Sequence, residues 1–484
     1  MANNGNGQQN GGDHISIEIP DATRILAASI REKFDRVSPS PFVEGCCIHK
    51  VHEKFRKING YAYTPEMVSI GPFHHGNISL LAMEDHKLRY MRMLLSKFRS
   101  TTKLEDCVAS ISRLEQKARE SYSEPVEPDS NKFIEMMVVD GLFIIALFGK
   151  TAGVVKRDKD DTLFNNIWAM PSLVRDLILL ENQLPMFVLE SLFELVKEKI
   201  KERPRGRSLS LTELALRFFD PLMHREEDVL KKHFSSSGKH LLDLLSNTFY
   251  DDLPPEESST FKKTSNTFHD LPQEENSTVN KTSNTFHDPA RGKTSNIPCV
   301  TELRQAGVTF KKGSSTGSFL DIKFIDGVLE IPPILIQDQT NTLLRNLIAS
   351  EQCCEERHTF MTSYAFFMDS LINSSNDVVI LRQVGIITNY LGDDEDISTL
   401  FNKLCTEVTL VKYRYTNLCS RVNDYYKARW HVWRATLKRD YFNNPWAIFS
   451  FSGAILLLLL ALIATIFAVL TFFVEPPGSK SSKP

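Results

Sequence analysis

The C-terminal part of the chain contains an apolar run that only a few environments can accommodate. Between Asp440 and Glu475 there are 34 residues without a charge, and residues 446–474 are dominated by Leu, Ile, Phe, Ala and Val. About 20 apolar residues are enough to cross the hydrocarbon core of a bilayer as a helix, which satisfies its own backbone there. A buried core helix seldom lacks charge on every face over this length. The sequence therefore predicts a single transmembrane helix at 446–474 and a short tail at 475–484.

Basic and aromatic residues flank the N-terminal side of this run. The residues predicted to lie at the membrane interface are Lys427, Arg429, Trp430, Trp433, Arg434, Lys438, Arg439 and Trp446. On the far side only two lysines, Lys480 and Lys483, follow the run. Basic flanking residues remain in the cytosol, and tryptophan favours the membrane interface. We therefore expect a single-pass protein of the plasma membrane or an endomembrane, with a cytosolic N-terminal body and membrane lipid as one partner.

The first sixteen residues lack the basic start and apolar stretch of a secretory signal. Residues 1–16 are rich in Asn, Gly and Gln, which predicts a flexible tail and, together with the C-terminal run, a tail anchor inserted after translation. A cytosolic body would leave the sequons at Asn77, Asn276, Asn280 and Asn373 without glycans. The net charge of −3 argues against a protein that binds nucleic acid through its overall charge.

Composition and periodicity divide the rest of the chain into two folded parts and a linker. Residues 17–245 carry mainly helical patterns, and residues 298–440 carry a β element followed by helices that end in a basic juxtamembrane helix. Between them, residues 246–297 are rich in Ser, Thr, Asn and Pro and repeat Ser-Asn-Thr-Phe three times. A repeat this polar brings too few apolar side chains to build a core. We interpret this segment as a disordered, low-complexity linker.

Two segments after the linker complete the predicted fold class. From about 305 to 336, apolar residues alternate with Gly-rich and Asp-Gly turn signals, which predicts a short antiparallel β element. From 401 to 438, apolar residues recur at spacings of three and four, which predicts one long helix. Its stripe is expected to pack on the body of the same chain, and a homodimeric coiled coil is the alternative. The chain is thus predicted to be mainly α with a small β element.

Eight short motifs occur in an order that identifies a family. They are Pro-Glu-Met-Val-Ser-Ile-Gly-Pro-Phe-His-His-Gly (65–76), Met-Glu-Asp-His-Lys (83–87), Met-Met-Val-Val-Asp-Gly (136–141), Leu-Leu-Glu-Asn-Gln-Leu-Pro (179–185), Thr-Glu-Leu-Arg-Gln-Ala-Gly-Val (301–308), Leu-Glu-Ile-Pro-Pro (329–333), Arg-Asn-Leu-Ile-Ala (345–349) and Tyr-Phe-Asn-Asn-Pro-Trp (441–446). From about residue 43 to its C-terminus the chain resembles the plant family catalogued as domain of unknown function 247. The resemblance implies a plant protein, usually with a C-terminal membrane segment, and no established biochemical activity. Some members of that family are associated with self-recognition between pollen and stigma, and no residue transfers that association to this chain.

Four polar residues lie inside apolar runs, where an unpartnered polar group costs several kcal/mol. They are Asp140, within a helix predicted at 133–148, and Glu181, Asn182 and Gln183, just before Pro185 separates helices predicted at 173–184 and 185–196. We interpret them as structural polar locks, hydrogen-bonded groups that tie helices together, with Arg175 as a candidate counter-charge. The alternative is acid–base catalysis by Asp140 and Glu181 as a pair of carboxylates with raised pKa values.

Two further patterns favour structure over chemistry. Residues 313–317 (Gly-Ser-Ser-Thr-Gly) match G-x-S-x-G, but strands are predicted on both sides, so we expect a hairpin loop instead of a nucleophile elbow. His74, His75, Glu84 and His86 carry metal-binding atoms without a paired ligand spacing, which favours capping and packing around a turn. The sequence therefore predicts no catalytic residue, metal or cofactor.

The combined features predict a membrane-anchored interaction, signalling or scaffold protein, with protein partners that the sequence does not identify. One alternative is a membrane-tethered hydrolase or metal-dependent enzyme that uses Asp140 with Glu181, or the region of His74 and His86. A second alternative, recognition at the cell surface, requires the body to face the other side of the membrane.

Overall fold

A computed structural model describes residues 21–36, 45–96, 103–200, 209–253, 296–315, 317–353, 358–428 and 445–474. The chain divides into two compact units, residues 1–46 and residues 47–484. The predicted tail at 1–16 and most of the predicted linker, residues 254–295, lie outside the described residues. The first residues assigned to the linker are different, because residues 246–251 continue a helix and Phe249 is buried.

Most of the described residues lie in helices, so the predicted mainly α fold with a small β element is confirmed. The first unit contains α1 (Asp21–Arg36). Before the linker, the second unit contains α2 (Glu53–Asn59), α3 (Ala82–Leu95), α4 (Lys103–Glu120), α5 (Ser130–Thr151), α6 (Thr162–Asn165), α7 (Ala169–Asp176), α8 (Met186–Ile200), α9 (Leu211–Met223), α10 (Glu227–Lys232) and α11 (Leu241–Asp251). After the linker come α12 (Val300–Gln305), β1 (Thr309–Lys312), β2 (Lys323–Ile325), β3 (Val328–Ile331), β4 (Ile334–Ile336), α13 (Asp338–Gln352), α14 (Phe360–Leu371), α15 (Ser375–Gln383), β5 (Ile387–Asn389), α16 (Asp394–Leu404), α17 (Thr416–Lys427) and α18 (Pro445–Val474).

Helix α5 lies at the centre of the part before the linker. It carries apolar residues on all faces, as a helix enclosed by others does, and every residue from Met136 to Lys150 is buried. Helices α3, α4, α8 and α9 pack against it. Asp129 caps its N-terminus by accepting a hydrogen bond from the Lys132 amide at 3.0 Å, so the helix begins slightly before the predicted 133–148. The burial of α5 places Asp140 inside the core.

The chain between α7 and α8 leaves the helical conformation earlier than predicted. Helix α7 ends at Asp176 and α8 begins at Met186, whereas the prediction continued the first helix to residue 184. The side chains of Asn182 and Gln183 donate hydrogen bonds of 2.8–2.9 Å to backbone carbonyls at the end of α7 and in the turn that follows. These amides replace the helical hydrogen bonds that the last carbonyls of α7 would otherwise need.

The five strands in the described part of the chain form two small sheets. In the first sheet β3 lies between the other two strands, antiparallel to β2 and parallel to β1. The β2–β3 hairpin turns at Asp326 and Gly327, which both have positive φ, as the Asp-Gly signal predicts. The rest of the antiparallel prediction is corrected, because residues 313–322 carry the chain from β1 past β3 to β2. Residues 313–317 therefore belong to this crossover and not to a hairpin loop. In the second sheet β4 pairs parallel with β5.

The prediction of one continuous helix at 401–438 is wrong. Helix α16 ends at Leu404 and α17 begins only at Thr416, and Glu407 between them has a left-handed φ of 62° that an α-helix does not permit. Residues 429–438 lie outside the described residues. Leu418 and Val422 of the predicted stripe are buried in the core of the same chain. The apolar stripe therefore comes from two helices that pack on the body.

Helix α18 contains the apolar run predicted to cross a membrane. Residues Phe449–Leu470 are long and apolar enough to do so, and none of this stretch is buried against the rest of the protein. Among the predicted interface residues, Lys427 is the exposed last residue of α17, and Trp446 lies in the first turn of α18. The other six, between residues 429 and 439, lie outside the described residues.

The Asp-Gly turn provides a test of how the small sheet is held. Gly327 has a φ of +80°, and a Cβ atom there would lie 2.5 Å from the hydroxyl oxygen of Tyr425. We expect Gly327→Ala to lower the free energy of unfolding by about 2 kcal/mol or more, since backbone strain and a collision add together. Gly153→Ala is the matched control, because Gly153 has a φ of +70° and open space around it. Equal losses of stability in denaturant titrations of the two variants would contradict the contact with Tyr425.

Candidate functional site

The first motif of the resemblance contains a largely buried stretch of backbone, residues 65–71. Pro65, Val68, Ser69 and Ile70 are all buried, and the stretch from Pro65 to Gly71 belongs to no helix or strand. A buried peptide group without a hydrogen bond costs about 1–3 kcal/mol. Side chains from other elements supply the partners. We call Lys87, Asp140, Asp176 and Asn182 the polar network.

Asp176 binds the beginning of the stretch. Its carboxylate accepts hydrogen bonds from the amides of Glu66, Met67 and Val68 at 2.7–3.1 Å. The Arg175 guanidinium donates to Asp176 Oδ1 at 2.8 Å and also reaches backbone carbonyls just before the stretch. Burial raises the pKa of Asp176, and the three amides and Arg175 offset part of that rise. One carboxylate thus fixes three consecutive peptide groups.

Asn182 binds the middle of the stretch through both the carbonyl oxygen and the NH2 group of its side chain. Its carbonyl oxygen accepts a hydrogen bond from the Ile70 amide at 2.7 Å, and its amide donates to the Val68 carbonyl at 3.0 Å. The pattern resembles that of a neighbouring β-strand, with one side chain in the place of a peptide group. Gln183, the next residue, binds the turn after α7 and accepts a hydrogen bond from the Leu242 amide at 3.2 Å. Gln183 therefore connects this turn to the start of α11.

Asp140 and Lys87 bind the end of the stretch as a buried ion pair. Their charged atoms lie 2.7 Å apart, and both side chains are at most 2 % exposed. Asp140 Oδ2 accepts a hydrogen bond from the Gly71 amide at 2.8 Å, and Lys87 Nζ donates to the Ser69 carbonyl and to Glu84. Burial raises the pKa of Asp140, although Lys87 and the Gly71 amide oppose the rise. The two side chains thus bind each other, and each also binds one peptide group of the stretch.

Gly71 allows the stretch to approach the turn before α8. Its φ is +71°, and a Cβ atom at this position would lie 2.7 Å from the carbonyl oxygen of Gln183. The same oxygen accepts a hydrogen bond from the Tyr122 hydroxyl at 3.1 Å. A larger residue would push the stretch away from the turn before α8. The motif therefore needs glycine at position 71 for its positive φ and for this close approach.

Glu181 binds a different part of the chain, near the surface. One carboxylate oxygen accepts a hydrogen bond from the Val51 amide at 2.5 Å, and the other binds Arg56 and lies 3.4 Å from His74 Nε2. Burial raises the pKa of Glu181, but its contacts with His74 and Arg56 outweigh burial and hold the pKa below its usual value. The side chains of Arg56 and His74 are 22 % and 12 % exposed, so this group marks the edge of the buried region.

Asn346 of α13 joins the C-terminal half of the chain to the same region. Its side chain accepts a hydrogen bond from the Leu180 amide at 2.9 Å and donates to the Ala62 carbonyl at 2.7 Å. Asn346, Lys87 and Asp176 are site residues that the sequence patterns do not predict. Each of them lies in an apolar stretch or in one of the motifs, and this position could have indicated a site residue, because buried charged and amide groups need hydrogen-bond partners.

The residues predicted to act together, Asp140, Glu181 and Arg175, have different partners in the structure. Arg175 pairs with Asp176, so its prediction as counter-charge to the four lock residues is wrong. Asp140 pairs with Lys87, whereas Glu181 pairs with Arg56, and their pKa values shift in opposite directions. The arrangement therefore differs from a carboxylate pair that shares a raised pKa. Whether these residues act as locks stays a prediction that stability measurements test.

The other candidate residues are also spread out. His75 is exposed, Glu84 pairs with Lys87, and His74 lies against Glu181. In the described part of the chain, no group of three or more His, Cys, Asp and Glu residues could hold a metal ion. The polar network binds the backbone of residues 66–71 together with Glu84 and Arg175, so the contacts that it makes in the structure are internal ones.

Comparison with known proteins gives a family and relatives. The model of the family described as plant protein of unknown function, DUF247, matches residues 48–460. UPF0481 protein At3g47200 of Arabidopsis thaliana is 29 % identical over 457 residues, which cover 91 % of this chain and 90 % of that protein. Putative UPF0481 protein At3g02645 of Arabidopsis thaliana is 25 % identical over 461 residues, which cover 82 % and 85 % respectively. No solved structure matches the chain.

The ion pair of the polar network provides a direct test of its role. Asp140→Asn leaves the buried Lys87 ammonium without its main counter-charge, and we expect the free energy of unfolding to fall by about 3 kcal/mol. Asp85→Asn, on the exposed side of α3, is the control and should change stability by less than about 0.5 kcal/mol. Denaturant titration of the full chain in nanodiscs measures both. A stable, fully folded Asp140→Asn variant would contradict the structural role and favour the enzymatic alternative.

Proposed function

The chain belongs to the plant family of unknown function DUF247, and from this premise we propose that it is a membrane-anchored interaction protein without a reaction of its own. Its body would present surfaces to protein partners at a bilayer. The observation that carries the proposal is the exposed apolar helix α18, whose surface lipid or a partner would cover.

A comparison of α18 with α5 supports the anchor. Both helices are apolar on all faces, but α5 is enclosed by other helices, whereas Leu457, Leu458 and Phe467 of α18 are 64–71 % exposed. Complete burial of a Leu or Phe side chain contributes about 1.5–3 kcal/mol. A bilayer would provide this burial for α18 along its whole length, as the protein core does for α5.

The polar network supports the absence of a reaction. A catalytic acid or base must reach the reacting group within hydrogen-bond distance. Asp140 and Lys87 are almost completely buried, and their polar atoms bind each other and the backbone of the stretch at residues 65–71. These internal contacts support a role of Asp140 and Lys87 in the stability of the body and not in binding a substrate.

The orientation follows from the charges near α18. Lys427 is exposed at the end of α17, and further basic residues follow it in the sequence before the apolar run. The positive-inside rule places such residues in the cytosol. The body would then lie in the cytosol and the last ten residues on the opposite side.

Charged substitutions in α18 test the anchor. We expect the full chain to remain in the membrane pellet after carbonate extraction, and Leu459→Arg with Ile463→Arg to release it, because each central arginine costs about 3 kcal/mol on insertion. Leu459→Ala with Ile463→Ala is the control, since it removes the same two large apolar side chains without adding charge and should stay in the pellet. Recovery of the unmodified protein in the supernatant would contradict the anchor.

Glycosylation tests the orientation. The sequons at Asn77 and Asn373 are exposed in the folded body, so an enzyme in the secretory lumen would have access to them. We expect no mass shift after glycosidase treatment of the protein from plant cells, and a shift when an acceptor tag is added after Pro484. Glycans on Asn77 or Asn373 would reverse the orientation and favour recognition at the cell surface.

A further inference from the structure

Helix α1 is amphipathic and leaves its apolar side uncovered in the structure. Ile25, Leu26, Ile30 and Phe34 are exposed to 71, 61, 40 and 69 %. At about 100° per residue these four side chains fall on one side of the helix, and Arg24, Arg31 and Asp35 fall on the other. An apolar side of this size on a short helix is typical of a segment that binds a surface.

The position of α1 in the chain separates it from the body. It belongs to the compact unit of residues 1–46, and the family match begins only at residue 48. The polar network and the core around α5 lie entirely in the second unit. Helix α1 is therefore an addition to the family domain and not one of the elements that build it.

Lys33 indicates which kind of surface α1 binds. On the helical projection it lies in the middle of the apolar side, within about 20° of Leu26, and its side chain is exposed. A dry protein groove that covered the apolar side would bury this ammonium group, which is costly without a counter-charge. At a bilayer surface a lysine extends its charged end to the headgroups while its aliphatic part stays among apolar groups.

The length of α1 argues against a coiled coil with a second copy. The helix has 16 residues, whereas coiled coils are sustained over about three to four heptads or more. A bilayer surface has no such requirement for length. Between residues 22 and 35 there are three basic and two acidic side chains, so electrostatic attraction alone would be weak and apolar insertion must provide most of the binding.

We propose that α1 lies in the surface of the bilayer that α18 spans. Its apolar side enters the boundary between headgroups and acyl chains, and Arg24 and Arg31 face anionic headgroups. The proposal rests on the membrane anchoring proposed above, because a chain already held at the bilayer raises the effective concentration of the surface for a weakly binding helix. Two contacts of different kinds would then hold the chain at the membrane.

Photo-crosslinking of the full chain tests this proposal. The chain is reconstituted in liposomes of phosphatidylcholine and phosphatidylserine with benzoylphenylalanine in place of Phe34 or, as the control on the polar side, of Asp35. We expect lipid adducts at position 34 to exceed those at position 35 by about tenfold, as the depth of an interfacial helix requires. Ile30→Gln should lower the yield at position 34 severalfold, whereas Ala28→Gln, on the polar side, should leave it unchanged.

Two results would overturn the proposal. Equal lipid adducts at positions 34 and 35 would show that α1 has no fixed orientation in the bilayer, and adducts from position 34 to protein would identify a protein surface instead. Carbonate extraction of the same samples reports separately on α18. Protein that is extracted but carries lipid at position 34 contradicts the anchor alone, and protein that resists extraction without this adduct contradicts only the proposal for α1.

Discussion

The second unit depends on a buried stretch of backbone, residues 65–71, that has no strand beside it among the described residues. Its peptide groups must form hydrogen bonds in the folded state, as buried peptide groups in general must. Asp176 binds the amides of residues 66–68, Lys87 the Ser69 carbonyl, Asn182 the Ile70 amide and Asp140 the Gly71 amide. They come from α3, α5, α7 and the turn before α8, so the hydrogen bonds of the stretch require all four of these elements to be in place. The hydrogen bonds of this short stretch therefore depend on side chains that are far from it in the sequence.

The same requirement explains why an ion pair persists in the core. Apolar residues often replace a buried ion pair without loss of stability, because both charges lose their hydration on burial. Here Asp140 also accepts from the Gly71 amide, and Lys87 also donates to the Ser69 carbonyl. An apolar pair would leave both peptide groups without partners. The charges are therefore needed for the backbone that they bind, and their attraction for each other offsets the cost of burying them.

Local patterns in the sequence predict the elements whose causes are local. The apolar helix α5, the separation at Pro185, the Asp-Gly hairpin and the apolar run of α18 all follow from composition and spacing. The parallel pairing of β1 with β3 and the partners of Asp140 and Glu181 depend on residues far apart in the chain, which periodicity does not encode. The apolar spacing of the sequence does not predict the break between α16 and α17, for another reason. Two helices packed on one core can continue a single apolar spacing, so the spacing of Leu404, Leu418 and Val422 does not reveal the turn between them.

The distribution of polar groups bears on the choice between binding and catalysis. Inside the body, the motif residues are occupied by hydrogen bonds over distances of up to 284 residues in sequence, as between Asn346 and Ala62. A ligand that competed for Asp140 or Asn182 would have to displace backbone groups, and each buried group left without a partner costs about 1–3 kcal/mol. Groups that can meet a partner without this cost are at least partly exposed, as Arg56 and His74 beside Glu181 are and as the apolar side chains of α1 and α18 are. We therefore propose a division between a body whose motif residues bind its own backbone and exposed segments that contact partners.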